Sequence, residues 1–527
     1  MRPRSAVPEL RRWVTQRLIA VFCATTLATL AAQDRSVPAL PRFEVAPCPF
    51  QADDAILKQI RCGYVEVPEN RAISEGLRLK LSVAILKSFS ADPRPDPVVV
   101  LAGGPGSSLV SAAPGVALHG SLEGDVANQM VAKALIQTLR ADRDVIFYDQ
   151  RGVGFSEPEM CPEEATNWGP RPPEGPAGRR ARMRQVATRC GDSMRRAGLD
   201  LAQYNSAASA RDLQDLRRAL GYEHWNLFGH SYGSRLALVA MRDAPQGIRS
   251  VVISGLYPPN VASWFNQPAW VFDVLHRVSA ACAAQPACDA AFPEVEDTLW
   301  RTVDQLNRVP WTRQLPRRNG RVDSFTTTGT TFTARLAPML RTPTGLSTIP
   351  MLVHAMRGRD EAVLNALMRQ PSEDDEPVSR ALHLSVQCFE ELPLNAEDLR
   401  ERTRRAYPPE LLDRNVFSNP DLCAGLHSFR ARPEHAVLAD SAIPTLIVTG
   451  EFDPTTHRSN GPIAQRSLKN SQLADVPGVG HSGAFDHDCT RTMARDFLNA
   501  PSVKRNMSCL RAIPPLRFVT DVKAIPR

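Results

Sequence analysis

A serine with a glycine two residues away on each side is the feature that most constrains this chain. The stretch NLFGHSYGSR places Ser231 between Gly229 and Gly233. Residues 224–228 have the apolar run of a short buried strand, and residues 232–241 have the apolar spacing of a helix. A sharp strand-to-helix turn brings backbone segments close together, so it needs glycine at those two positions. The stretch therefore predicts a strained turn that carries Ser231, with a serine in an ordinary tight turn as the alternative.

Buried strands alternate with helical segments on both sides of this turn. Four continuous apolar runs have the composition of parallel strands buried on both faces, at residues 97–101, 144–148, 248–253 and 444–449. The remaining elements are two helices, an antiparallel edge pair and a last strand, at residues 126–139, 209–220, 63–67, 77–87 and 472–476. This alternation predicts an α/β fold with a mostly parallel sheet.

The alternation stops after Gly255 and resumes only near residue 444. Residues 257–440 instead contain amphipathic helical segments, such as 270–284 and 350–367. We expect these residues to form a helical cap that is inserted into an α/β core. The two parts of that core are then residues 43–256 and residues 441–512.

Residues 1–32 have the composition of an export signal. Five arginines and one glutamate precede an apolar run at 18–32, which is too short for an ordinary membrane span. We expect cleavage near Ala31 or Ala32, a periplasmic or secreted protein, and no stable membrane insertion afterwards; an uncleaved anchor is the alternative. The net charge of the whole chain is +7, and about +3 remains without the signal, so we expect no nucleic-acid partner.

The cysteine pattern predicts disulfides. Of eleven cysteines, one lies in the signal, and the remaining even number suits an oxidising compartment. The preferred pairing joins sequence neighbours, namely Cys48 with Cys62, Cys161 with Cys190, Cys282 with Cys288, Cys388 with Cys423, and Cys489 with Cys509. Metal binding is the weaker alternative, because neither a CxxC pair nor a histidine pair at helical ligand spacing occurs. We expect no metal, no cofactor, and a surface loop at 162–188 fastened by its flanking cysteines.

Two later motifs can activate the serine. A serine hydroxyl needs a histidine to take its proton and a carboxylate to orient that histidine. Asp453 follows the strand that ends near residue 449, and His481 follows the next strand. The order Ser231, Asp453, His481 is that of α/β hydrolases. We therefore predict a catalytic triad; a turn aspartate and a loop histidine are the alternatives.

Acyl transfer also needs two backbone N–H donors for the developing oxyanion. Tyr232, directly after Ser231, supplies one candidate. The glycine run GGPG at 103–106 follows a buried strand and supplies the other, most plausibly from Gly104. An ordinary proline-glycine turn is the alternative for this run.

Five motifs carry a specific resemblance. They are GGPG at 103–106, DQRGVGFS at 149–156, GHSYG at 229–233, GEFDP at 450–454 and GVGHSG at 478–483. Together they resemble the prolyl and tripeptidyl aminopeptidase group of α/β-hydrolase serine peptidases, over residues 43–509. The long cap and the C-terminal segment are more similar to the exported tripeptidyl branch, and Ala102 stands where the prolyl enzymes usually have histidine.

The resemblance implies an α/β-hydrolase fold whose cap precedes the strand carrying Asp453. It also implies that the chain removes a short N-terminal unit from a peptide, through an acyl-enzyme on Ser231. The substrate is then a peptide with a free amino terminus, which cap carboxylates recognise. Glu390, in the arrangement Cys-x-Glu, is the preferred candidate, and its neighbour Glu391 is the other. Two solvated surface glutamates are the alternative, and the oligomeric state stays open.

Further residues have structural interpretations. Asp149 and Arg151 follow a central strand, and we expect them to brace the GGPG loop by a buried ion pair; a direct role in catalysis is the alternative. A group of aromatic residues either lines the substrate cleft or fills the cap interior, namely Trp264, Phe265, Trp270 and Phe272.

Three functional hypotheses follow from these patterns. The first is a serine aminopeptidase. The second is an esterase or a small-molecule amide or ester hydrolase of the same fold. The third is a non-catalytic, hydrolase-like binding protein, against which all three members of the predicted triad argue.

Overall fold

The structure is a computed structural model that describes residues 41–117, 133–162, 176–316, 322–368, 378–391, 394, 397–412, 420–426 and 433–525. The predicted export signal at 1–32 lies outside these residues. Within the described ranges, the helices are too short or too polar to cross a membrane.

A nine-stranded sheet forms the core, and a two-stranded hairpin lies apart from it. The strands are β1 (Phe43–Val45), β2 (Ile60–Pro68), β3 (Arg78–Leu86), β4 (Val98–Leu101), β5 (Val145–Tyr148), β6 (Trp225–His230), β7 (Ile248–Ser254), β8 (Trp311–Pro316), β9 (Val322–Thr327), β10 (Thr445–Gly450) and β11 (Ser471–Val476). The order across the sheet is β1-β2-β3-β5-β4-β6-β7-β10-β11. The first three neighbouring pairs are antiparallel and the remaining five are parallel. The predicted mostly parallel α/β sheet is therefore confirmed.

Eighteen α-helices surround the sheet or build the insertion within the described residues. They are α1 (Asp54–Leu57), α2 (Ala113–Ala117), α3 (Lys133–Leu139), α4 (Pro176–Arg196), α5 (Ser206–Ala219), α6 (Tyr232–Asp243), α7 (Ser263–Ala283), α8 (Pro286–Ala291), α9 (Val295–Arg308), α10 (Gly329–Met339), α11 (Pro343–Gly358), α12 (Glu361–Met368), α13 (Arg380–Val386), α14 (Glu397–Ala406), α15 (Pro409–Leu412), α16 (Pro420–Leu426), α17 (Asn460–Gln465) and α18 (Asp488–Asn499). Directly after α13, the chain forms one π-helical turn, Gln387–Glu391, called the π turn below.

The central strands are buried on both faces because they are continuously apolar. In β4, Val99 and Leu101 join one hydrophobic cluster, whereas Val98 and Val100 join the cluster on the opposite face. Successive side chains of a strand point to opposite faces, so an all-apolar strand needs packing on both. Because β4, β6, β7, β10 and β11 are parallel, the carboxyl ends of β4, β6, β10 and β11 lie at one edge of the sheet, where the predicted motifs are found.

Two predictions about helices and loops are wrong in part. Residues 162–188 do not form one loop, because α4 begins at Pro176; residues 163–175 lie outside the described chain. The predicted segment 350–367 is two helices, α11 and α12, which separate where Arg359 adopts a left-handed conformation (φ 54°). The insertion between β7 and β10 is mostly helical, as expected, but it also contains the hairpin β8–β9, which alternation in the sequence did not reveal.

The structure confirms the predicted disulfide pairing. It contains Cys48–Cys62, Cys161–Cys190, Cys282–Cys288, Cys388–Cys423 and Cys489–Cys509. The fourth of these joins the π turn to α16 and so ties two parts of the insertion together.

Candidate active site

Ser231 occupies a strained turn between β6 and α6. Its backbone has φ 56° and ψ −123°, a region that costs a non-glycine residue about 1–3 kcal/mol. Two backbone hydrogen bonds hold it there: Ser231 N donates to Ser254 O (3.0 Å), and Ser234 N donates to Ser231 O (2.9 Å). The turn therefore presents the Ser231 side chain at the carboxyl edge of the sheet.

The two glycines of the turn are required by close backbone contacts. A Cβ added to Gly229 would overlap the carbonyl oxygen of Gly233, and a Cβ added to Gly233 would overlap that of Leu101. Because the obstructing atoms belong to backbone, neither clash can be relieved by a rotamer change. In this chain, both glycines of the pattern G-x-S-x-G are therefore required by the geometry of the turn.

Ser231, His481 and Asp453 form one chain of hydrogen bonds. His481 Nε2 lies 3.0 Å from Ser231 Oγ, and His481 Nδ1 lies 2.9 Å from Asp453 Oδ2. Asp453 is 1% exposed and His481 is 2% exposed. The three residues are far apart in sequence but follow β6, β10 and β11, whose carboxyl ends lie together. This arrangement can transfer a proton from the hydroxyl to the imidazole.

Asp453 accepts hydrogen bonds from Thr455 and Thr456 in addition to its contact with His481. The N–H groups of Thr455 and Thr456 donate to Asp453 Oδ1 (2.8 Å each), and Thr456 Oγ1 donates to Oδ2 (2.7 Å). Burial acts to raise the pKa of Asp453, but the interaction with His481, followed by the hydrogen bonds from Thr456, outweighs burial and holds the pKa below its usual range. An ionised Asp453 fixes a proton on Nδ1 of His481, which leaves Nε2 free to accept from Ser231. Sequence reasoning missed Thr456, although the tendency of an aspartate side chain to accept from backbone N–H groups shortly after it points to this stretch.

His230 is a second histidine beside the triad that the sequence analysis did not single out. Its ring centroid lies 4.9 Å from that of His481, and its Nδ1 lies 2.8 Å from Ser254 Oγ. Burial, and to a smaller extent the neighbouring imidazole of His481, lowers the pKa of His230 to about 3. His230 is therefore neutral at neutral pH and adds no positive charge next to His481.

The GGPG loop, residues 103–106, runs alongside Ser231. A Cβ on Gly103 would lie 3.3 Å from the Ser231 Cβ, so no side chain separates the loop from the serine. Gly104 (φ 103°) and Gly106 (φ 100°) both have positive φ, which favours glycine. Tyr232 is the first residue of α6, where a backbone N–H has no acceptor within its own helix. The structure thus brings both predicted oxyanion-hole segments next to Ser231.

Asp149 braces the chain that follows this loop. It accepts hydrogen bonds from Leu109 N (2.8 Å), Val110 N (3.1 Å) and Ser108 Oγ (2.9 Å), and from Phe155 N (3.0 Å). Burial raises the pKa of Asp149 to about 6, against the opposing effect of these donors. The carboxylate thereby ties residues 108–110, directly after the GGPG loop, to the end of β5.

The predicted ion pair between Asp149 and Arg151 is wrong. Arg151 instead pairs with Asp212 of α5, through Nε to Oδ2 (2.7 Å) and Nη2 to Oδ1 (2.7 Å). Its guanidinium also donates to the carbonyl oxygens of Glu69 and Gln203. Arg151 therefore joins α5 to the edge of the sheet, and only Asp149 supports the loop near the site.

Glu390 and Glu391 lie in the π turn and are buried. Glu390 accepts from Arg235 Nε (2.6 Å), Ser206 N (2.7 Å) and Ser206 Oγ (3.0 Å). Glu391 lies 3.5 Å from Arg235 Nη1 and accepts from Ser263 N (3.3 Å). The structure thus excludes the alternative of two solvated surface glutamates. One guanidinium, four residues after Ser231 on α6, faces two carboxylates.

Two of the four predicted aromatics, Trp270 and Phe272, lie in different environments, and the side chain of Trp264 lies outside the described part of the structure. Trp270 stacks on His457, with 6.0 Å between ring centroids, beside the loop that carries Asp453. Phe272 stacks on Trp300 (5.7 Å) inside the insertion, which fits the core-packing interpretation. Among the described residues, we find no group of three or more histidine, cysteine, aspartate or glutamate side chains that could hold a metal.

Comparisons with known families agree with this geometry. Residues 96–288 match a family described as alpha/beta hydrolase fold, and residues 409–509 match one described as TAP-like protein. The sheet, the strained serine turn and these matches define the class: the chain is a serine hydrolase with the α/β-hydrolase fold.

Several relatives that the chain resembles are named as proteases or peptidases. The chain is 25% identical to "Serine protease Hip1" of Mycobacterium tuberculosis, over 81% of this chain and 82% of the relative. It is 30% identical to "Tripeptidyl aminopeptidase" of Streptomyces lividans, over 40% of this chain and 37% of the relative. It is 25% identical to "Proline iminopeptidase" of Neisseria gonorrhoeae, over 24% of this chain and 29% of the relative. The resemblance to serine exopeptidases of this fold is thereby confirmed.

Proposed function

We propose that this serine hydrolase is an exported aminopeptidase in which Ser231 is the nucleophile. Ser231 Oγ attacks the carbonyl carbon of the scissile bond while His481 Nε2 takes its proton, and Asp453 orients the imidazole. His481 then returns the proton to the leaving amine, and water releases the acyl group from Ser231. The single observation that carries this proposal is the continuous hydrogen-bond chain from Asp453 through His481 to Ser231.

The oxyanion of the tetrahedral intermediate is held by the N–H groups of Gly104 and Tyr232 in this mechanism. Both lie on segments adjacent to Ser231, and such fixed donors stabilise charge that develops only during reaction. Neither donor needs a side chain, which is consistent with the glycine-rich composition of the loop.

Recognition of a free amino terminus is assigned to Glu390 and Glu391. Both buried carboxylates contact the Arg235 guanidinium, Glu390 at 2.6 Å and Glu391 at 3.5 Å. A substrate ammonium would be attracted to this pair of carboxylates, and burial strengthens that attraction because water screens it less. We assign the approach of the ammonium to Glu391, whose contact with Arg235 is the longer one, and a supporting role to Glu390, which holds Arg235 and the first residue of α5.

Names of relatives and the disulfides support the remaining features. Tripeptidyl aminopeptidase and proline iminopeptidase both act at peptide amino ends by name. Five disulfides suit an oxidising compartment, which favours export. The predicted substrate is accordingly a peptide met outside the cytoplasm.

The role of Ser231 is tested with Ser231→Ala. We expect hydrolysis of a tripeptide p-nitroanilide to fall by a factor on the order of 10⁴–10⁶, while the circular dichroism spectrum is unchanged. A fluorophosphonate should label the parent protein at Ser231 and leave the variant unlabelled. The control is Ser508→Ala, which removes an exposed hydroxyl of the C-terminal segment. Turnover by Ser231→Ala at the parent rate would refute the proposed mechanism.

The aminopeptidase assignment is tested by blocking the substrate. We expect the N-acetylated tripeptide p-nitroanilide to be hydrolysed at least about 100-fold more slowly than the free amine, because the neutral amide lacks the positive charge that the buried carboxylates are proposed to bind. Glu391→Gln should reduce this preference, mainly by raising KM for the free amine. Equal rates for both substrates would instead favour the esterase hypothesis.

A further inference from the structure

The insertion contacts the GGPG loop, residues 103–106, through the start of α13; because Gly104 is the proposed oxyanion donor, this loop is called the oxyanion loop below. Ser379 N donates to Gly106 O (2.8 Å), and Val378 forms an antiparallel bridge with Ser107. A Cβ on Gly106 would lie only 2.6 Å from Ser379 O. The two backbones are therefore in direct contact, so the position of the loop depends on the position of α13.

His383, one turn into α13, forms a second contact with the same loop. Its Nδ1 lies 3.1 Å from the carbonyl oxygen of Pro105, and its Nε2 lies 2.9 Å from Gln387 Nε2. The side chain is buried at 6% exposure. His383 thus links the loop beside Ser231 to the π turn, in which Gln387 is the first residue.

The partners of His383 define its protonation. A carbonyl oxygen can only accept, so Nδ1 must carry a proton and donate it to Pro105 O. Burial lowers the pKa of His383 to about 3, so the ring is neutral and Nε2 is an acceptor. The amide N–H₂ of Gln387 supplies the matching donor. Both ring nitrogens are accordingly satisfied by one tautomer.

We propose that His383 is a positioning residue that fixes the oxyanion loop through its hydrogen bond to Pro105 O. This inference rests on the proposed function, because it requires Gly104 to donate to the oxyanion. The residue does not touch substrate or the reacting atoms. It acts by holding the carbonyl group of the residue that directly follows Gly104.

The loop needs such an external restraint because its own residues provide little. Gly104 and Gly106 have no side chains to pack. Both adopt positive φ, and glycine populates positive and negative φ about equally, so its own backbone preference does not hold this conformation. An oxyanion donor must lie within a few tenths of an ångström of its place, and an error of 1 Å costs about 100-fold in rate. A hydrogen bond from a buried side chain on a helix supplies that restraint.

Four variants test the inference. His383→Asn keeps an amide donor near the Nδ1 position, whereas His383→Gln moves the donor to the Nε2 position and His383→Leu removes it. The matched control is His354→Leu, because His354 Nε2 also contacts a proline carbonyl, Pro293 O at 3.0 Å, on a different helix of the insertion. Steady-state hydrolysis of p-nitrophenyl acetate and of a free-amine tripeptide p-nitroanilide is measured for each.

We expect His383→Leu and His383→Gln to lower kcat by about 10- to 100-fold with KM within about threefold, since oxyanion donors act on the transition state. His383→Asn should retain kcat within about fivefold of the parent, and His354→Leu within about twofold. The acidic limb of the pH dependence of kcat/KM should keep its midpoint, because His481 is unchanged.

Unchanged kcat in His383→Leu, or equal losses in His383→Asn and His383→Gln, would overturn the positioning role. The asparagine–glutamine comparison decides the question if the leucine variant does not fold. Ser231→Ala separates this outcome from failure of the proposed function. An inactive Ser231→Ala together with a normal His383→Leu refutes only the inference, whereas an active Ser231→Ala refutes the mechanism itself.

Discussion

Thr456 is a residue outside the predicted triad that contributes to the lowered pKa of Asp453. Its hydroxyl donates to Asp453 Oδ2 (2.7 Å) and also lies 3.0 Å from His481 Nδ1. The hydroxyl therefore sits where the carboxylate and the imidazole meet and helps to hold both. A hydrogen bond to a charged group is worth about 1.5–3 kcal/mol, which is more than an ordinary one.

Replacing this hydroxyl should weaken the site in a measurable way. We expect Thr456→Val to lower the free energy of unfolding by about 1.5–3 kcal/mol and to reduce kcat, because Asp453 loses its side-chain donor. Thr456→Ser keeps the hydroxyl and should retain most of both quantities. Urea denaturation and kinetics on the same protein samples check this. Indistinguishable valine and serine variants would contradict a role for the hydroxyl.

The serine turn depends on the approach of α6 to β4. We expect Gly233→Ala to destabilise the fold by more than about 2 kcal/mol and to abolish activity, because the new methyl group would displace the backbone at Leu101, next to the oxyanion loop. Gly358→Ala, at the end of α11, is the matched control, since an added Cβ meets nothing within 4 Å. Thermal unfolding should show that control to be neutral or more stable by up to about 1 kcal/mol. Similar losses in both variants would argue against a steric cause.

The Cys388–Cys423 disulfide anchors the π turn that carries Glu390 and Glu391. Removing it by paired serine substitutions should cost about 3–4 kcal/mol by the loop-entropy relation. We also expect KM for a free-amine peptide to rise, because the carboxylates lose their fixed position. Removing Cys282–Cys288, which closes a loop of only 6 residues, should leave KM unchanged. An unchanged KM after removal of Cys388–Cys423 would count against the proposed role of the π turn.

The sequence predicted most core elements because each depends on local periodicity. The strands that carry the motifs were placed within a few residues, and parallel strands bring their carboxyl ends together, so Ser231, Asp453 and His481 could be expected to meet. Contacts within the insertion left no such pattern. Glu390 binds Ser206 across 184 residues of sequence, and His383 binds Pro105 across 278. The burial of the two glutamates and the hydrogen bond from His383 to Pro105 O therefore depend on tertiary packing, which the local sequence pattern does not reveal.

The insertion contacts the loops that carry Asp453 and His481 and also the oxyanion loop. Ser482 N donates to Arg341 O (2.8 Å) beside His481, and His457 Nε2 lies 3.1 Å from Asp273 Oδ2 on α7. The contacts of Ser379 and His383 reach the third segment, the oxyanion loop. The insertion is thus part of the framework of the site.

Stability of the whole molecule should depend on the buried neutral histidines. Burial lowers the pKa of both His230 and His383 to about 3, so their stabilising contribution is complete above the unfolded pKa of about 6.5. It is lost as pH falls from about 6.5 towards 3, at up to about 1.4 kcal/mol per pH unit for each residue, because only the unfolded chain takes up the proton. Asp149 acts in the opposite direction, since its raised pKa favours the folded state below about pH 6.

Comparison with His383→Asn isolates one of these residues. Between about pH 6 and pH 4, the variant should lose stability less steeply than the parent, by about 1.4 kcal/mol per pH unit. Contributions from His230 and Asp149 are common to both proteins and cancel in the difference. Urea denaturation at half-unit pH steps provides the measurement. Parallel stability curves would show that His383 does not remain neutral in the folded protein.

The five disulfides have a consequence for how the chain matures. Each bridge joins a cysteine to the next one along the described chain, and the largest separation is 35 residues. Bridges therefore neither cross nor enclose one another. If the chain enters an oxidising compartment with its amino terminus first, each cysteine encounters its correct partner before any later cysteine has entered. Oxidation in order of emergence then yields the native set directly, so an oxidase suffices and no enzyme that reshuffles wrong pairs is needed.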